Sequence, residues 1–523
     1  MARRTLIAIA GLALVLHGLG MSRTLLPAQD GLKFIRVARQ FGHIPWTDVV
    51  RGSDQHPLYS ALIALAEPPV ALVLGESPDA WRVAAQLVSV LAAVATLFPL
   101  FGFARALFGE RAAILTTLVY VLLPIPGAIG RDTLSDSLSL FFFASALRLG
   151  ELALRTDRRS AWIATGLVAG VGYLARPEIL IVPTAVILTG LARFFGRREI
   201  IPIGPHLARV GGLGVATLAI VGSYAFVKGE VSEKLSLRIG ASLGASARVL
   251  KSAPAPMPAG LEGPAWNFAP KEESSEIRIQ GAPARTALRL AQQWAEGLAW
   301  IMLPFLAWGV VRAQSLEGSH VGRQLVAVYV ALFAAVVIRH AATLGYLSGR
   351  HALTLVVATI PWVGAGIWAW ARELPERRGL TPRTSRRLAV IGLLALITVG
   401  VTSQVKAMHH SRWGHLAAGR WLRENAKPSE SVLDTRGWAM FVRGGTGYDY
   451  WHVRQAITDA SLGYVVVGDD ELKAESDRAA TLRAMLAYAA SPVAEFPDRE
   501  GSKGVGVRVY RFRRPDSWEG IRR

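Results

Sequence analysis

The sequence predicts an α-helical protein that crosses a membrane many times and carries a small α/β domain in its C-terminal part. Three observations support this fold class. Of the 523 residues, 52% are hydrophobic and only 18% are charged, whereas soluble proteins have about 25% charged residues. The apolar residues gather in runs long enough to cross the hydrocarbon core of a bilayer. From about Lys406 onward, the hydrophobicity falls and the periodicity changes.

The apolar runs predict about eleven membrane spans, and the pattern allows ten to thirteen. The spans belong to a membrane domain of residues 1–405, and we place them near residues 5–22, 84–104, 112–129, 133–150, 161–175, 179–192, 210–228, 294–311, 324–338, 352–371 and 388–404.

The arginines of the short loops indicate the orientation, because cytoplasmic loops carry an excess of Lys and Arg. With a cytoplasmic N-terminus, nineteen arginines lie in inner segments, whereas the short outer turns hold four: Arg131, Arg176, Arg339 and Arg350. The first segment also resembles a secretory signal, but the ten further spans favour an uncleaved first helix. Eleven spans put the C-terminus outside the cytoplasm.

Two outer segments of the membrane domain are long. Residues 23–83 contain two helical stretches, Gly31–Gln40 and Leu58–Leu74, and the second is apolar enough to lie in the membrane interface. Residues 229–293 contain the Pro/Gly-rich run Ala253–Pro270, which predicts a mobile loop over the outer face.

Residues 406–523 are predicted to form an extracytoplasmic α/β domain. Its predicted elements are a helix at Leu416–Asn425, strands at Ser431–Asp434 and Gly463–Gly468, a helix at Asp469–Ala489 and a last strand at Val505–Phe512. The domain shows neither a glycine-rich phosphate loop nor a nucleophile elbow. We therefore interpret it as a packing or acceptor-docking module.

Composition excludes several kinds of function. The chain has no cysteine, which excludes disulfides, thiolate metal sites and a cysteine nucleophile. The net charge of +20 does not indicate nucleic-acid binding, because the arginines lie in short blocks between apolar runs and no binding motif accompanies them. Ionisable residues are nearly absent from the middle of the spans, where coupled transporters usually place them.

The charged residues of the membrane domain gather instead at the outer ends of the spans. The chain brings them in this order: Asp30 and Lys33, then Asp54, His56 and Tyr59, then Arg131, Asp132 and Asp136, then Arg176 and Glu178, and finally Arg350 and His351. If the helices form a bundle, these turns converge on one outward-facing cavity at the level of the lipid headgroups.

Such a cavity suits the transfer of a group from a phosphate that a lipid carries. A carboxylate, Asp30 or Asp136, can take the proton of an incoming hydroxyl. A second acid can position the acceptor or bind a divalent cation, so a metal stays an open possibility. The leaving phosphate can be held by the cations Lys33, Arg131, Arg176 and Arg350.

Structural roles compete with these functional ones. Asp30 can cap the following helix, and Asp132 is better explained as a helix-capping residue than Asp136, which lies one turn farther on. Arg176 and Arg350 can extend to lipid headgroups, and Glu178 can simply pair with Arg176. We interpret three histidines at the start of the C-terminal domain as solvated side chains, not metal ligands: His409, His410 and His415.

The order of these motifs resembles the GT-C superfamily of integral-membrane glycosyltransferases, in particular bacterial relatives of protein O-mannosyltransferases and of the lipid A aminoarabinose transferase. The resemblance covers the whole chain and rests on Asp30 with Lys33, His56-Pro57-Leu58-Tyr59, Arg131-Asp132-Thr133-Leu134-Ser135-Asp136, Ala175-Arg176-Pro177-Glu178 and Gly349-Arg350-His351-Ala352-Leu353. It implies a polyprenyl-phosphate-linked sugar donor and inverting transfer on the non-cytoplasmic face, with Asp30 and Asp136 as the family's two aspartates.

The chain departs from the family pattern at three places. Gly31 stands where family members often have a second acid, His56-Pro57 replaces a Pro-Pro pair, and Arg350-His351 replaces an Arg-Tyr pair. These departures leave the acceptor, the use of a metal and the identity of the base open.

The sequence thus predicts a glycosyltransferase of the bacterial cytoplasmic membrane whose active site and C-terminal domain face the periplasm. Its expected partners are a polyprenyl-phosphate sugar, membrane lipid and a glycan, lipid or protein acceptor, with no nucleic acid. The alternatives are a transporter or flippase of lipid-linked sugars and a non-catalytic membrane subunit. Residues expected to position substrates are Asp54, His56, Tyr59, Asp132, Glu178 and His351.

Overall fold

A computed structural model describes residues 2–196, 203–229, 283–344, 347–377, 379, 381–496 and 506–513. Its membrane domain is helical, and the helices are Ala2–Ser22, Gln29–Gln40, Trp46–Gly52, Pro57–Leu74, Pro78–Leu122, Pro124–Gly130, Asp136–Thr156, Arg159–Tyr173, Ile181–Gly196, Ile203–Lys228, Pro283–Gly297, Leu303–Arg312, His320–Leu344, Leu353–Arg377 and Pro382–Gln404.

The described part of the chain contains eight helices that are long and apolar enough to cross a membrane. The protein is therefore a multi-pass membrane protein, while the exact number of eleven spans stays a prediction. One of the eight is Pro57–Leu74, which the sequence places in the interface. Its exposed side chains include Leu65, Leu72 and Val73, so this helix offers lipid an apolar surface.

Two predicted spans differ from the observed helices for reasons of backbone geometry. The runs 84–104 and 112–129 lie mostly in one 45-residue helix, Pro78–Leu122, whose regular conformation is interrupted at Gly109 (φ 83°). The run 294–311 is broken, because Ala299 and Trp300 adopt positive φ angles of 57° and 50°, a conformation that an α-helix cannot contain.

The long outer segment 229–293 is partly helical. Its last part forms the helix Pro283–Gly297, which the sequence did not predict to begin before residue 294. The Pro/Gly-rich run 253–270 lies outside the described residues.

Small residues allow the helices of the membrane domain to approach closely. A Cβ atom added to Gly366 would stand 1.8 Å from the backbone oxygen of Phe305, and one added to Gly309 would stand 2.0 Å from that of Trp362. The helices Leu303–Arg312 and Leu353–Arg377 thus pack backbone against backbone, as helices in membranes often do.

The C-terminal domain contains a five-stranded sheet flanked by helices. Its strands are β1 (Ser431–Asp434), β2 (Gly447–Tyr448), β3 (Leu462–Gly468), β4 (Ala490–Phe496) and β5 (Val507–Phe512), in the order β2-β1-β3-β5-β4. The first three are parallel, and β5 is antiparallel to β3 and β4.

The sequence predicted strands β1, β3 and β5 but missed β2 and β4. The pattern of β4 is mostly exposed and β2 has only two residues, so neither carries a buried apolar run. The predicted helix Asp469–Ala489 is two helices, Asp469–Lys473 and Asp477–Ala489, the second of which is capped by the hydroxyl of Ser476.

Candidate active site

The first candidate residue, Asp30, lies in the first turn of the helix Gln29–Gln40. The start of this helix is held against the membrane domain, because the amide of Ala28 donates to Oγ1 of Thr133 at 2.9 Å. Gly31 packs so closely there that an added Cβ would stand 1.9 Å from the same hydroxyl. A second acid at position 31 has no room, so Asp30 is the acid that this turn presents.

Arg350 connects Asp30 with a second aspartate. It lies in the short turn Gly349–Ala352, which precedes the helix Leu353–Arg377. One terminal nitrogen donates to Oδ2 of Asp30 at 2.6 Å, and the other stands 3.8 Å from Oδ2 of Asp136. A single guanidinium thus bridges carboxylates that are more than a hundred residues apart in sequence.

Asp136 is the first residue of the helix Asp136–Thr156 and is buried. Its other carboxylate oxygen accepts a charge-assisted hydrogen bond from Arg176, whose Nε lies 3.5 Å from Oε2 of Glu178. Asp30, Arg350, Asp136, Arg176 and Glu178 therefore form one continuous chain of alternating charges. We call these five residues the charge chain.

Four members of the charge chain line an open cleft of about 370 Å³, and Asp30 is joined to this lining through Arg350. The lining combines apolar and charged side chains, and its residues are Asp136, Ser139, Leu140, Arg176, Glu178, Phe333, Val337, Arg350, His351, Leu353 and Thr354. Such a surface suits a ligand with a phosphate at one end and an apolar portion beside it.

The electrostatics of the charge chain keep Asp30 ionised. Burial alone would raise the pKa of its carboxyl group, but the guanidinium of Arg350 outweighs this effect, with help from Lys33 and Arg176, and holds that pKa below its usual 3.8. Lys33 follows Asp30 by one turn of the same helix. Asp30 is therefore a carboxylate at neutral pH and is able to accept a proton only weakly while Arg350 is bound to it.

Arg131 and Asp132, which the sequence assigned to phosphate binding and substrate positioning, lie elsewhere. Arg131 is 2% exposed, and its guanidinium donates to the side chain of Gln404 at 2.8 Å and to the backbone oxygen of the same residue. Asp132 stands 2.9 Å from Nε2 of His409. Both side chains therefore contact residues at the junction with the C-terminal domain.

The residues Asp54, His56 and Tyr59 do not line the cleft either. Asp54 is exposed, and the ring of His56 stacks on that of Tyr224 with centroids 5.6 Å apart. Tyr59 is completely buried, and its hydroxyl bonds to the backbone oxygen of Ala85 at 2.9 Å. Tyr59 therefore supports the packing of the helix Pro57–Leu74, which corrects the prediction that it positions a substrate.

His351 does line the cleft, and its ring orientation is fixed locally. Its Nδ1 accepts from the amide of Ser348 at 3.0 Å, and its ring lies 6.1 Å from that of His340. The sequence analysis missed Ser348 and His340. The spacing of Ser348 and His351 could have identified Ser348, because a serine three residues before a side chain that can bond back to its amide resembles a capping box.

The residues of the cleft do not fit a divalent cation. Among the described residues, no group of three or more His, Asp or Glu side chains is arranged to hold a metal ion. The carboxylates of Asp30, Asp136 and Glu178 each face a guanidinium instead, and a metal would have to compete with these cations for the same oxygens.

Three comparisons with known proteins bear on this fold. A sequence-family model described as dolichyl-phosphate-mannose-protein mannosyltransferase matches residues 57–221, a segment that contains Asp136, Arg176 and Glu178. No curated protein matches the chain in sequence. Among solved structures, ArnT from Cupriavidus metallidurans bound to undecaprenyl phosphate superposes with a TM-score of 0.59 at 14% identity, over 96% of this chain and 97% of that one.

An Archaeoglobus fulgidus oligosaccharyltransferase tethered with an acceptor peptide is also similar, with a TM-score of 0.51 at 12% identity, over 94% of this chain and 73% of that one. The chain therefore has the fold of the GT-C glycosyltransferases, a helical membrane domain with a small C-terminal domain, and the resemblance inferred from the motifs is confirmed.

Proposed function

We propose that the protein is a membrane glycosyltransferase that moves a sugar from a polyprenyl phosphate to an acceptor hydroxyl or amine on the extracytoplasmic side of a bacterial cytoplasmic membrane. The observation that carries this proposal is the charge chain, in which Arg350 and Arg176 alternate with Asp30 and Asp136 and both arginines line a partly apolar cleft. Cations beside apolar side chains can bind the phosphate and the hydrocarbon of a lipid phosphate. A carboxylate beside these cations can accept the proton of an attacking nucleophile.

In the proposed reaction, the acceptor attacks the anomeric carbon of the donor as the bond from that carbon to the phosphate oxygen breaks. The acceptor's proton passes to the carboxylate of Asp30, and the electron pair of the broken bond stays on the polyprenyl phosphate. Arg350 and Arg176 stabilise the charge that develops on this leaving group. Attack opposite the leaving group inverts the configuration at the anomeric carbon.

Donor binding also prepares Asp30 as a base in this scheme. Without a donor, Arg350 is paired with Asp30 at 2.6 Å and lowers the pKa of that carboxyl group. The phosphodiester of the donor offers Arg350 a singly charged partner with two oxygens that can accept a bidentate hydrogen bond, and its charge grows as the bond to the sugar breaks. When the guanidinium turns to the phosphate, Asp30 loses its strongest counter-charge, and its basicity rises at the moment when an acceptor can use it.

Two further observations support the orientation and the kinds of substrate. The excess of arginines in the segments assigned to the cytoplasm supports an outward-facing cleft. ArnT and an archaeal oligosaccharyltransferase of the same fold bind undecaprenyl phosphate and dolichol phosphate, respectively, which supports a lipid-linked donor here. A glycan, a lipid and a protein are all compatible acceptors.

The test is release of lipid phosphate by the purified protein from a panel of polyprenyl-phosphate sugars. We expect release with one donor class in the presence of an acceptor, and a loss of about a thousandfold or more in Asp30→Asn, because the base and its charge are both removed. The matched control is Asp48→Asn, since Asp48 is an exposed aspartate of the same outer segment that pairs with Arg51 at 3.8 Å.

Full activity of Asp30→Asn would contradict the assignment of the base. If the wild-type protein released no lipid phosphate from any donor but moved lipid-linked sugars across vesicles, a flippase would replace the glycosyltransferase as the better explanation.

A further inference from the structure

Two side chains of the C-terminal domain converge on one backbone carbonyl of the membrane domain. The oxygen of Pro27 accepts from the indole nitrogen of Trp438 at 3.0 Å and also from the guanidinium of Arg412. Pro27 lies two residues before the helix Gln29–Gln40, whose first turn carries Asp30. The C-terminal domain therefore grips the chain directly ahead of the proposed base.

The two donors support each other. The guanidinium of Arg412 lies 4.1 Å above the ring of Trp438, and the ring of His415 meets the same indole at 5.0 Å. Trp438 and His415 are buried, with exposures of 5% and 2%. A buried stack of this kind leaves the indole N–H little freedom to point anywhere other than at Pro27.

The same stretch of chain is held from the other side by the membrane domain. The amide of Ala28, the residue after Pro27, donates to Thr133, and Leu32 donates to the oxygen of Ala28 at 3.2 Å to close the first turn. Leu32 also packs within 3.3 Å of the position that a Cβ on Gly437 would take. The first turn of the helix Gln29–Gln40 thus lies between the membrane domain and the C-terminal domain, and contacts with both fix its orientation.

We propose that Trp438 and Arg412 are positioning residues that hold Asp30 at its place in the charge chain, so that the C-terminal domain takes part in catalysis by orienting the base. This proposal rests on the proposed function. Neither residue touches the substrate in this scheme; both act through Pro27. Because a displacement of about 1 Å at a reacting group can cost as much as a hundredfold in rate, release of this grip lowers turnover without removing a substrate contact.

The informative variant is Trp438→Phe, which removes the indole donor and keeps an aromatic ring under Arg412. We expect kcat to fall about tenfold, the effect of losing roughly 1.4 kcal/mol of transition-state stabilisation, while KM for the lipid donor changes less than twofold. The matched control is Trp421→Phe in the same domain, because Trp421 packs on Tyr464 at 5.8 Å, away from Pro27. Its kcat and KM should stay within twofold of wild type.

A second measurement asks whether Trp438 acts through Asp30. Asp30→Glu keeps a carboxylate at a shifted position, so its residual transfer is measurable. If both residues serve one geometry, the loss in the Trp438→Phe/Asp30→Glu double variant is smaller than the product of the two single losses. The proposal would be overturned if the loss of transfer in the double variant equalled the product of the two single losses. It would also be overturned if Trp438→Phe and Trp421→Phe lost equal activity, or if Trp438→Phe changed only KM.

Hydrogen exchange separates this proposal from the proposed function. The amide of Leu32 should exchange at least several-fold faster in Trp438→Phe than in wild type, because opening of the first turn exposes this amide to water. In Trp421→Phe its exchange rate should be that of wild type. If wild type transfers no sugar while exchange follows this pattern, the proposed function fails and the grip on the helix stands. Unchanged exchange in Trp438→Phe overturns the grip, whatever the activity.

Discussion

The short segment 131–136 supplies charged residues to two different places, the cleft and the junction between the domains. Asp136 faces the cleft and shares Arg350 and Arg176 with the other members of the charge chain. Arg131 and Asp132 point to the junction, where they meet Gln404 and His409. A sequence pattern that looks like one motif is therefore divided between two kinds of environment.

The arginines of the two places differ in exposure and in partners. One third of the side chain of Arg350 is exposed, and it is bound to carboxylates. Arg131 is 2% exposed and is bound to a backbone oxygen and an amide side chain. A partly exposed guanidinium bound to carboxylates can exchange them for a phosphate, whereas a buried guanidinium that donates to neutral acceptors stabilises the fold and is not available to a ligand. We therefore predict that Arg350 is a functional cation and Arg131 a structural one.

The largest effect that this comparison predicts is loss of activity in Arg350→Gln. Transfer should fall about a thousandfold, because one preorganised cation at a developing charge contributes roughly 3–4 kcal/mol. The free energy of unfolding should change by less than about 1 kcal/mol, as is usual for partly exposed ion pairs. Activity is measured as released lipid phosphate and stability as thermal unfolding in detergent.

Arg51→Gln is the control for that variant, since Arg51 is an exposed arginine of the outer segment whose ion pair with Asp48 is 3.8 Å long. It should keep wild-type transfer. If Arg350→Gln retained activity within twofold of wild type, Arg350 would be a structural arginine like Arg131, and its predicted role in phosphate binding would be wrong.

Arg131→Met should behave in the opposite way to Arg350→Gln. Its free energy of unfolding should fall, while the molecules that remain folded should keep wild-type transfer. The methionine keeps the length of the stem but leaves buried acceptors on Gln404 without their donor, at a cost of about 3 kcal/mol in the free energy of unfolding. The measurement is again thermal unfolding, followed by transfer per folded molecule. A thousandfold loss of transfer at unchanged stability would return Arg131 to the phosphate site that the sequence predicted.

The sequence was sufficient to predict that the members of the charge chain lie close together, because each stands at an end of an apolar run on the same predicted side of the membrane. Asp30, Asp136, Arg176 and Arg350 each stand at such an end, and the structure joins them through side-chain contacts. The resemblance to GT-C proteins predicted the fold for a related reason, since the order of polar residues between apolar runs reflects the order of the helices.

The sequence did not predict which side chains of one loop face the cleft. The partners of Arg131 and Asp132 lie more than 270 positions away, at Gln404 and His409, and nothing near residue 131 records them. Tyr59 shows the same limitation, since its acceptor on Ala85 depends on how two helices pack. Patterns of spacing describe local structure and sidedness, whereas such pairings depend on the final packing.

The smallest predicted effect concerns the junction pair and its dependence on pH. Burial alone would raise the pKa of Asp132, but the hydrogen bond and charge of His409 hold it below the usual 3.8. A lowered pKa in the folded state adds stability above the unfolded pKa, and this stability is lost as the pH falls through the folded value.

The variant His409→Asn should therefore lower the free energy of unfolding by about 1 kcal/mol at pH 7. This is slightly less than a hydrogen bond to a charged group usually contributes. The deficit should shrink below about pH 4, where the carboxylate of Asp132 becomes protonated in the folded proteins and no longer attracts His409. Melting temperatures between pH 3 and 7 measure it, with His410→Asn as the control because His410 is exposed. A deficit that stayed constant across this range would show that His409 stabilises the junction by packing and not through the carboxylate of Asp132.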